Sequence, residues 1–204
     1  VITSRFSGTP ADGHGQHQLA GYLTPIAFKA AADPNQYPEH FQEGLRPWQA
    51  KKLYVGQGFA PNAANPPTIV VPTGEYDPLI GRSYFEIAME GRSQHKSQEM
   101  GSLELRGRQQ SGLRLLETST AKVDNEKSLF DGIDTSIAGI AKVVGLTDGS
   151  IDAELRTIQD AAAKALAEFD ALEPGRSIPA LASGLQAVRA ARQKLSSRSD
   201  NSSK

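Results

Sequence analysis

The sequence contains no cysteine among its 204 residues. The protein can therefore form neither a disulfide framework nor a thiolate zinc site, and any metal that it binds must be held by histidine and carboxylate side chains. It also lacks an excess of charge, since 22 Lys and Arg residues face 23 Asp and Glu residues. A nucleic-acid partner needs a basic surface built on a clear cationic excess, so we expect none.

Long apolar runs are absent as well. The longest are short segments such as residues 68–71 (Thr-Ile-Val-Val), whereas a helix that spans a bilayer needs roughly 18 apolar residues. We therefore expect no membrane span. The first residues, Val1-Ile2-Thr3, show no Met, basic leader or signal-type apolar stretch, a pattern that favours the interior of a longer protein.

Residues 1–120 combine strand-like and helix-like patterns, which predicts a mixed α/β domain. An apolar period of three to four residues predicts a helix from His17 to Asp33-Pro34, which Pro25 can kink or divide. Ser83 and Glu86 have the spacing of a capping box for a helix that extends to Gln98. The predicted strands are residues 1–6, 53–55, 68–71 and 113–116. The apolar residues on one face of the first helix are Leu19, Leu23, Ile26 and Ala30.

Residues 121–196 form a second region, with the pattern of helices. Two strongly periodic helices separated by Pro174-Gly175 predict an antiparallel hairpin, against which residues 127–144 pack as a third segment. Residues 197–204 are polar and predict a disordered tail or a linker. The apolar positions of the second helix are Ile178, Leu181, Leu185 and Val188.

Residues 13–17 (Gly-His-Gly-Gln-His) place His14 and His17 three positions apart at the entrance to the first helix. Residues at this spacing lie roughly 60° apart around a helix axis, so both imidazoles can face one small volume. A helix N-terminus disfavours imidazolium, and neutral imidazole is the form that binds a metal. Asp12 can orient one of the rings or act as an outer-shell carboxylate. A solvated polar loop is the alternative interpretation, because H-x-x-H pairs also occur by chance.

A second polar block occupies residues 91–98 (Gly-Arg-Ser-Gln-His-Lys-Ser-Gln). His95, Ser97 and Gln98 carry donors and acceptors that can line a sugar-sized pocket. The alternative is a solvated helix face, the usual role of such a run. His40 has no partner pattern and is interpreted as a surface residue, and Trp48 as a packing anchor.

Together the two blocks resemble motifs of the PIG-L or LmbE-like family of zinc-dependent de-N-acetylases, which act on N-acetylglucosamine-type substrates. Residues 13–17 are similar to the family's G-H-x-x-H element, and His95-Lys96-Ser97-Gln98 to its H-[RK]-S-Q element. The runs at residues 45–54 and 81–88 look like those of a bacterial branch of larger members. The resemblance covers residues 1–120 and implies a small preference for an exported or periplasmic protein.

The resemblance implies that His17 is the third zinc ligand, and that His14 stabilises the oxyanion or protonates the leaving amine. In this chemistry zinc polarises the acetamide and lowers the pKa of its bound water, while a carboxylate acts as general base. The family's other two ligands and its base lie in an N-terminal A-H-P-D-D-E-type motif, and no His-Pro-Asp-Asp occurs in the sequence. A catalytic zinc has three protein ligands. We therefore expect the C-terminal part of a deacetylase, inactive alone, with an incomplete Rossmann-like (LmbE-like) sheet and a C-terminal helical hairpin or small bundle.

A function of another class also fits the sequence. In a non-catalytic carbohydrate-binding or protein-interaction module, the histidines are polar loop residues and the helical hairpin docks a partner. An upstream reading frame that continues into a His-Pro-Asp-Asp block favours the deacetylase, and a natural start at Val1 favours the module. The sequence identifies neither the sugar nor the oligomeric state.

Overall fold

The computed structural model describes residues 1–56, 64–98, 100, 104–143 and 145–201. The chain divides into two compact units, Val1–Ile133 (unit 1) and Asp134–Lys204 (unit 2). The division falls later than the expected boundary after residue 120. The physical reason is a buried ion pair between Lys52 and Glu126, which ties the segment around Glu126 to the sheet of unit 1.

Unit 1 is mixed α/β. Its strands are β1 (Ile2–Ser4), β2 (Lys52–Gly56), β3 (Ile69–Pro72), β4 (Tyr76–Asp77), β5 (Arg82–Ser83) and β6 (Gln110–Thr118). Among the described residues, four of them form one sheet in the order β1-β2-β6-β3. β1 and β2 are parallel, whereas β6 is antiparallel to both β2 and β3. The four expected strands are therefore confirmed, with shifted ends, and the small β4-β5 ladder is additional.

Two helices connect β1 to β2, α1 (Gly15–Ala30) and the single turn α2 (Glu39–Gln42). Pro25 does not divide α1, which continues through it. Phe28 is buried against Ala50 and Leu53, and Ile2 packs on the same cluster. The predicted apolar face of α1 is largely exposed, with Leu19, Leu23 and Ile26 all close to half accessible.

The predicted capping box is confirmed at the start of α3 (Tyr84–Arg92). The Ser83 hydroxyl accepts the Glu86 N–H at 3.3 Å, while the Glu86 carboxylate accepts the Ser83 N–H at 2.9 Å. The helix ends at Arg92, earlier than expected, and Lys96–Gln98 form a separate 3-10 turn. The polar block at residues 91–98 is therefore the end of a helix followed by a turn, and not a continuous helix face.

Unit 2 contains the short helix α4 (Ile140–Val143) and two long helices, α5 (Asp152–Ala167) and α6 (Ile178–Asn201). The Ser177 hydroxyl donates to the Ala165 carbonyl at 2.9 Å, and Lys194 pairs with Glu154 at 2.6 Å. Because these contacts join the end of α5 to the start of α6 and the reverse, the two helices are antiparallel, as predicted. Ala141 of α4 packs on the same core, whose other buried members are Ile151, Leu155 and Ala191.

Helix α6 continues through residues 197–201, part of the segment expected to be a tail or linker, while residues 202–204 lie outside the described residues. Among the described residues, no helix has the length and apolar character needed to cross a membrane.

Candidate functional site

The loop after β1 is organised by one buried carboxylate. Asp12 is 1 % exposed, and its oxygens accept the backbone N–H groups of Ser7, Gly8 and Thr9 at 2.7 to 3.1 Å. The Ser7 hydroxyl also donates to both oxygens at 3.1 Å. Burial alone would raise the pKa of Asp12, but these hydrogen bonds outweigh it and leave the pKa below its usual value. Asp12 is therefore an ionised acceptor that fixes the loop.

His17 is oriented by the backbone of that loop. Its Nδ1 lies 3.1 Å from the carbonyl oxygen of Asp12, and its ring stacks on Phe6 with centroids 4.0 Å apart. Because a carbonyl oxygen can only accept, Nδ1 carries the proton in the neutral ring and Nε2 keeps its lone pair. We expected Asp12 to orient a histidine, and it does so through its carbonyl, since its carboxylate is occupied by Ser7, Gly8 and Thr9.

His14 lies directly beside His17. The two ring centroids are 3.9 Å apart, with the planes tilted by 34°. His14 occupies the N-cap position of α1, but its side chain makes no capping hydrogen bond, and it is exposed. Gly13 precedes it with φ of +88°, a conformation that L side chains rarely adopt. The structure thus brings together the two imidazoles, as the three-residue spacing predicted.

The second block is placed on the surface of unit 1. His95, Ser97 and Gln98 are all exposed, and the Nδ1 of His95 lies 3.1 Å from the carbonyl oxygen of Arg92. In the described residues, no hydrogen bond or ring contact joins these three side chains to His14 or His17. The sugar-sized pocket expected for His95, Ser97 and Gln98 therefore stays a prediction.

Arg5 links the surroundings of the two blocks and was not singled out from the sequence. It follows β1 directly, and its guanidinium reaches Gly56 at the end of β2. Partial burial lowers the pKa of Arg5, the neighbouring Arg92 lowers it further, and Asp12 acts in the opposite direction. Arg5 therefore lies within electrostatic range of both the end of α3 and the Asp12 loop.

A second cluster that the sequence did not reveal lies inside unit 1. Lys52, Tyr54 and Glu126 form a buried network, in which Lys52 Nζ is 2.5 Å from Glu126 Oε1 and the Tyr54 hydroxyl donates to Glu126 Oε2 at 2.9 Å. Lys52 Nζ also donates to the Tyr54 hydroxyl at 3.3 Å. The alternation of residues 52 and 54 along β2 places both on one face of the sheet. No local pattern marks Glu126 as their partner.

The side chains around His17 meet only part of the needs of a catalytic zinc. His17 offers Nε2, and the exposed His14 is adjacent, but the Asp12 carboxylate already accepts the hydrogen bonds of its own loop. In the part of the chain that the structure describes, no three His, Asp or Glu side chains are grouped so that they could hold a metal. These residues therefore fit one part of a zinc site, and a complete site needs ligands from elsewhere.

Comparisons with known proteins found no relative of this chain. No family model, curated protein or solved structure matches the chain at a significant level. A family assignment therefore depends on the motif residues themselves and on the geometry around His14 and His17.

Proposed function

We propose that unit 1 carries the G-H-x-x-H part of the active site of a zinc-dependent de-N-acetylase, which hydrolyses the acetamide of an N-acetylglucosamine-type substrate. The observation that carries the proposal is the hydrogen bond from His17 Nδ1 to the Asp12 carbonyl. Metal-binding histidines in proteins typically donate their second ring N–H to a carbonyl or carboxylate, which fixes the ring and its tautomer. His17 has this arrangement.

The two histidines have different roles in this proposal. His17 contributes Nε2 as one zinc ligand, held in place by the Asp12 carbonyl and by stacking on Phe6. His14, exposed and beside it, hydrogen-bonds the oxyanion or returns a proton to the leaving amine. Bound zinc supplies Lewis-acid polarisation and an activated water. In this family the remaining ligands and the general base come from a His-Pro-Asp-Asp motif, which this sequence does not contain.

We further propose that the sheet is part of an incomplete Rossmann-like (LmbE-like) fold. The supporting observation is the β1-α1-β2 succession, in which two neighbouring strands are parallel and a helix lies in the connection. In such folds, ligands bind at the carboxyl ends of the parallel strands. Arg5 and the Asp12 loop follow the carboxyl end of β1, where the substrate would be expected.

Zinc titration of the isolated chain, followed by NMR of the histidine nitrogens, tests the ligand assignment. We expect weak zinc binding, on the order of 0.1 mM or weaker because two of three protein ligands are lacking. His17 Nε2 should shift first, and the exposed His40 is the matched control. Equal shifts at His40 and His17 would contradict the assignment. Tight stoichiometric zinc that is lost in His17→Ala would contradict the incomplete site.

The activity itself is tested on the longest natural reading frame. If it contains a His-Pro-Asp-Asp block upstream of Val1, the full protein should release a free amine from N-acetylglucosamine derivatives, and His17→Ala should abolish the release. His40→Ala should leave it unchanged. A full protein that binds such a sugar without hydrolysing it, and whose binding does not depend on zinc, would instead support a non-catalytic carbohydrate-binding module.

A further inference from the structure

Unit 1 contains a cleft of about 340 Å³ at the carboxyl end of α1, formed by the last turn of that helix and residues 33–48. We call it the Trp48 cleft. Ligand pockets in proteins typically have volumes of about 300 to 1,000 Å³, so the cleft has room for a small molecule. His17 lies in the first turn of α1, roughly 15 to 20 Å away at 1.5 Å per residue. The Trp48 cleft is therefore separate from the proposed zinc site.

Two aromatic side chains of the cleft face solvent. Trp48 is 61 % exposed and Tyr37 is 57 % exposed. The sequence favoured Trp48 as a packing anchor, and its exposure contradicts that interpretation. The Trp48 backbone N–H donates to the Ala31 carbonyl at 2.8 Å, which ties residue 48 to the end of α1. Exposed Trp and Tyr rings that line a cleft are typical of sites that bind a ligand with an apolar face.

The backbone of Tyr37 is strained. Its φ is +51°, a conformation that bulky L residues rarely adopt. Strain of this kind is concentrated at binding and catalytic sites, where the position of a side chain matters more than its cost in stability. Packing explains little of the strain, because more than half of Tyr37 is accessible to solvent. The conformation therefore points to a function for the Tyr37 ring.

Polar side chains of the cleft have hydrogen-bonding capacity that the protein does not use. Asp33 Oδ1 accepts the backbone and side-chain N–H groups of Asn35 at 2.8 and 3.1 Å, whereas Oδ2 accepts none from the described residues. Arg46 Nη1 donates to the Leu45 carbonyl at 2.8 Å, and the other guanidinium N–H groups have no acceptor in the same part of the chain. One carboxylate oxygen and several N–H donors thus remain for a ligand.

We propose that the Trp48 cleft binds a neutral pyranose ring of an oligosaccharide. The cleft contains one carboxylate, Asp33, and one guanidinium, Arg46, so their charges balance and favour neither an organic cation nor an anion. An entirely apolar ligand would remove water from both charges without replacing its hydrogen bonds.

A pyranose matches both parts of the cleft. Its apolar face of C–H groups can stack on the rings of Trp48 and Tyr37, and its hydroxyls can donate to Asp33 and accept from Arg46. This binding needs no zinc. The proposal therefore holds whether or not unit 1 is part of a deacetylase.

Tryptophan fluorescence measures the binding directly, because Trp48 is the only tryptophan of the chain. Titration of the full chain with cellotriose, a neutral trisaccharide without an acetamide, should change the emission saturably, with a dissociation constant on the order of 1 mM. Tetramethylammonium and inorganic phosphate are the cationic and anionic probes, and both should bind at least about tenfold more weakly. No saturable change up to about 20 mM cellotriose, or tighter binding of either charged probe, would overturn the proposal.

Saturation-transfer NMR of the sugar tests the variants, since removing Trp48 also removes the fluorescence signal. Trp48→Ala and Tyr37→Asn should each weaken cellotriose binding by about tenfold or more. Tyr22→Ala is the matched control, because Tyr22 is a 62 % exposed tyrosine of α1 outside the cleft. Equal losses for Tyr22→Ala and Tyr37→Asn would contradict the proposal. If Trp48→Ala loses its native circular dichroism, the comparison of these two tyrosine variants decides.

Tyr37→Asn also separates a binding role from a structural one. Asparagine tolerates positive φ better than tyrosine, so the variant should unfold at a higher urea concentration while binding cellotriose less well. A lower urea midpoint with unchanged binding would assign Tyr37 to the fold alone and refute its role in the cleft.

Chitotriose, the N-acetylated counterpart of cellotriose, distinguishes the Trp48 cleft from the histidine pair. EDTA should leave the binding of cellotriose unchanged, because the cleft needs no metal. Binding that is restricted to chitotriose and abolished by EDTA would place the sugar at the histidines. That result would overturn the proposal for the cleft and leave the deacetylase proposal in place.

Discussion

Removal of the Glu126 carboxylate should destabilise unit 1 more than any surface substitution. The side chains of Lys52 and Glu126 are 1 % and 3 % exposed, and they pair at 2.5 Å. Glu126→Ala leaves the Lys52 ammonium and the Tyr54 hydroxyl buried without their common acceptor. Breaking a buried pair in this way typically costs about 3 to 5 kcal/mol, because the remaining charge has lost both its solvent and its partner.

The expected loss of stability comes from the buried Lys52 ammonium and Tyr54 hydroxyl, which lose their acceptor, and not from the strength of the ion pair itself. Replacing the whole network by apolar side chains of similar volume should therefore recover most of the loss. We expect the triple variant Lys52→Met, Tyr54→Phe, Glu126→Leu to lie within about 2 kcal/mol of the unsubstituted protein. Glu117→Ala is the control, since Glu117 pairs with Lys29 at the surface and its loss should cost about 0 to 1 kcal/mol.

Urea unfolding followed by tryptophan fluorescence and near-ultraviolet circular dichroism measures these changes. Trp48 and all five tyrosines lie in unit 1, so both signals follow the unfolding of that unit. Glu126→Ala with a loss below 1 kcal/mol would refute the buried network. A triple variant as unstable as the single variant would refute the explanation by orphaned groups.

The network also predicts a dependence on alkaline pH. Burial alone would lower the pKa of Lys52, but its bonds to Glu126 and Tyr54 raise it overall. Burial and the bond to Glu126 raise the pKa of Tyr54. Since both folded-state values are raised, the network contributes its full stability below about pH 10 and loses it as the pH rises through those values. Above about pH 10 the unsubstituted protein should therefore lose stability relative to the triple variant, which lacks both groups.

The same urea titrations check four further substitutions. Gly21→Ala should cost several kcal/mol because a Cβ at residue 21 would lie 2.1 Å from the Gly8 nitrogen. Gly91→Ala, with no neighbouring atom within 4 Å, should stabilise α3 by about 0.5 kcal/mol. Equal effects of the two substitutions on the free energy of unfolding would contradict the close approach of Gly21. Ser83→Ala should cost about 1 kcal/mol through loss of the cap, and an unchanged midpoint would show that the cap contributes nothing. Asp12→Asn should cost about 2 kcal/mol at pH 7, since the amide has one acceptor oxygen instead of two. Because the pKa of Asp12 is lowered in the folded protein, that cost should fade as the pH drops below about 4, and a constant cost would contradict it.

Local signals in the sequence predicted the elements whose causes are local. The Ser83 and Glu86 pair forms its capping box as expected, because both partners lie within one helical turn. Pro174 and Gly175 begin the 3-10 turn Pro174–Ser177 that leads into α6, since proline and glycine act on the backbone at their own positions, whereas α5 already ends at Ala167. Such signals specify where a helix begins or ends. They do not specify what it packs against.

The burial of α1 shows this limit. Its apolar period predicted a helix correctly, but Leu19, Leu23 and Ile26 are exposed while Phe28 is buried. The close approach of Gly21 to Gly8 fixes which side of the helix faces the loop after β1.

The Lys52 and Glu126 pair could not be predicted from the sequence for a related reason. Its members lie 74 residues apart, and only the folded chain brings them together.

Residues 12–17 show both what a local sequence pattern can predict and what only the folded chain determines. The three-residue spacing at the start of α1 predicted that His14 and His17 meet, and they do, although His14 is the N-cap residue and has extended φ and ψ. It could not predict which oxygen of Asp12 faces the His17 ring, because that depends on where the backbone N–H groups of residues 7–9 point. Those groups bind the carboxylate and leave the carbonyl for the histidine. Asp12 therefore orients the His17 ring only through the shape of the loop, and substitutions that preserve that shape should preserve the His17 tautomer.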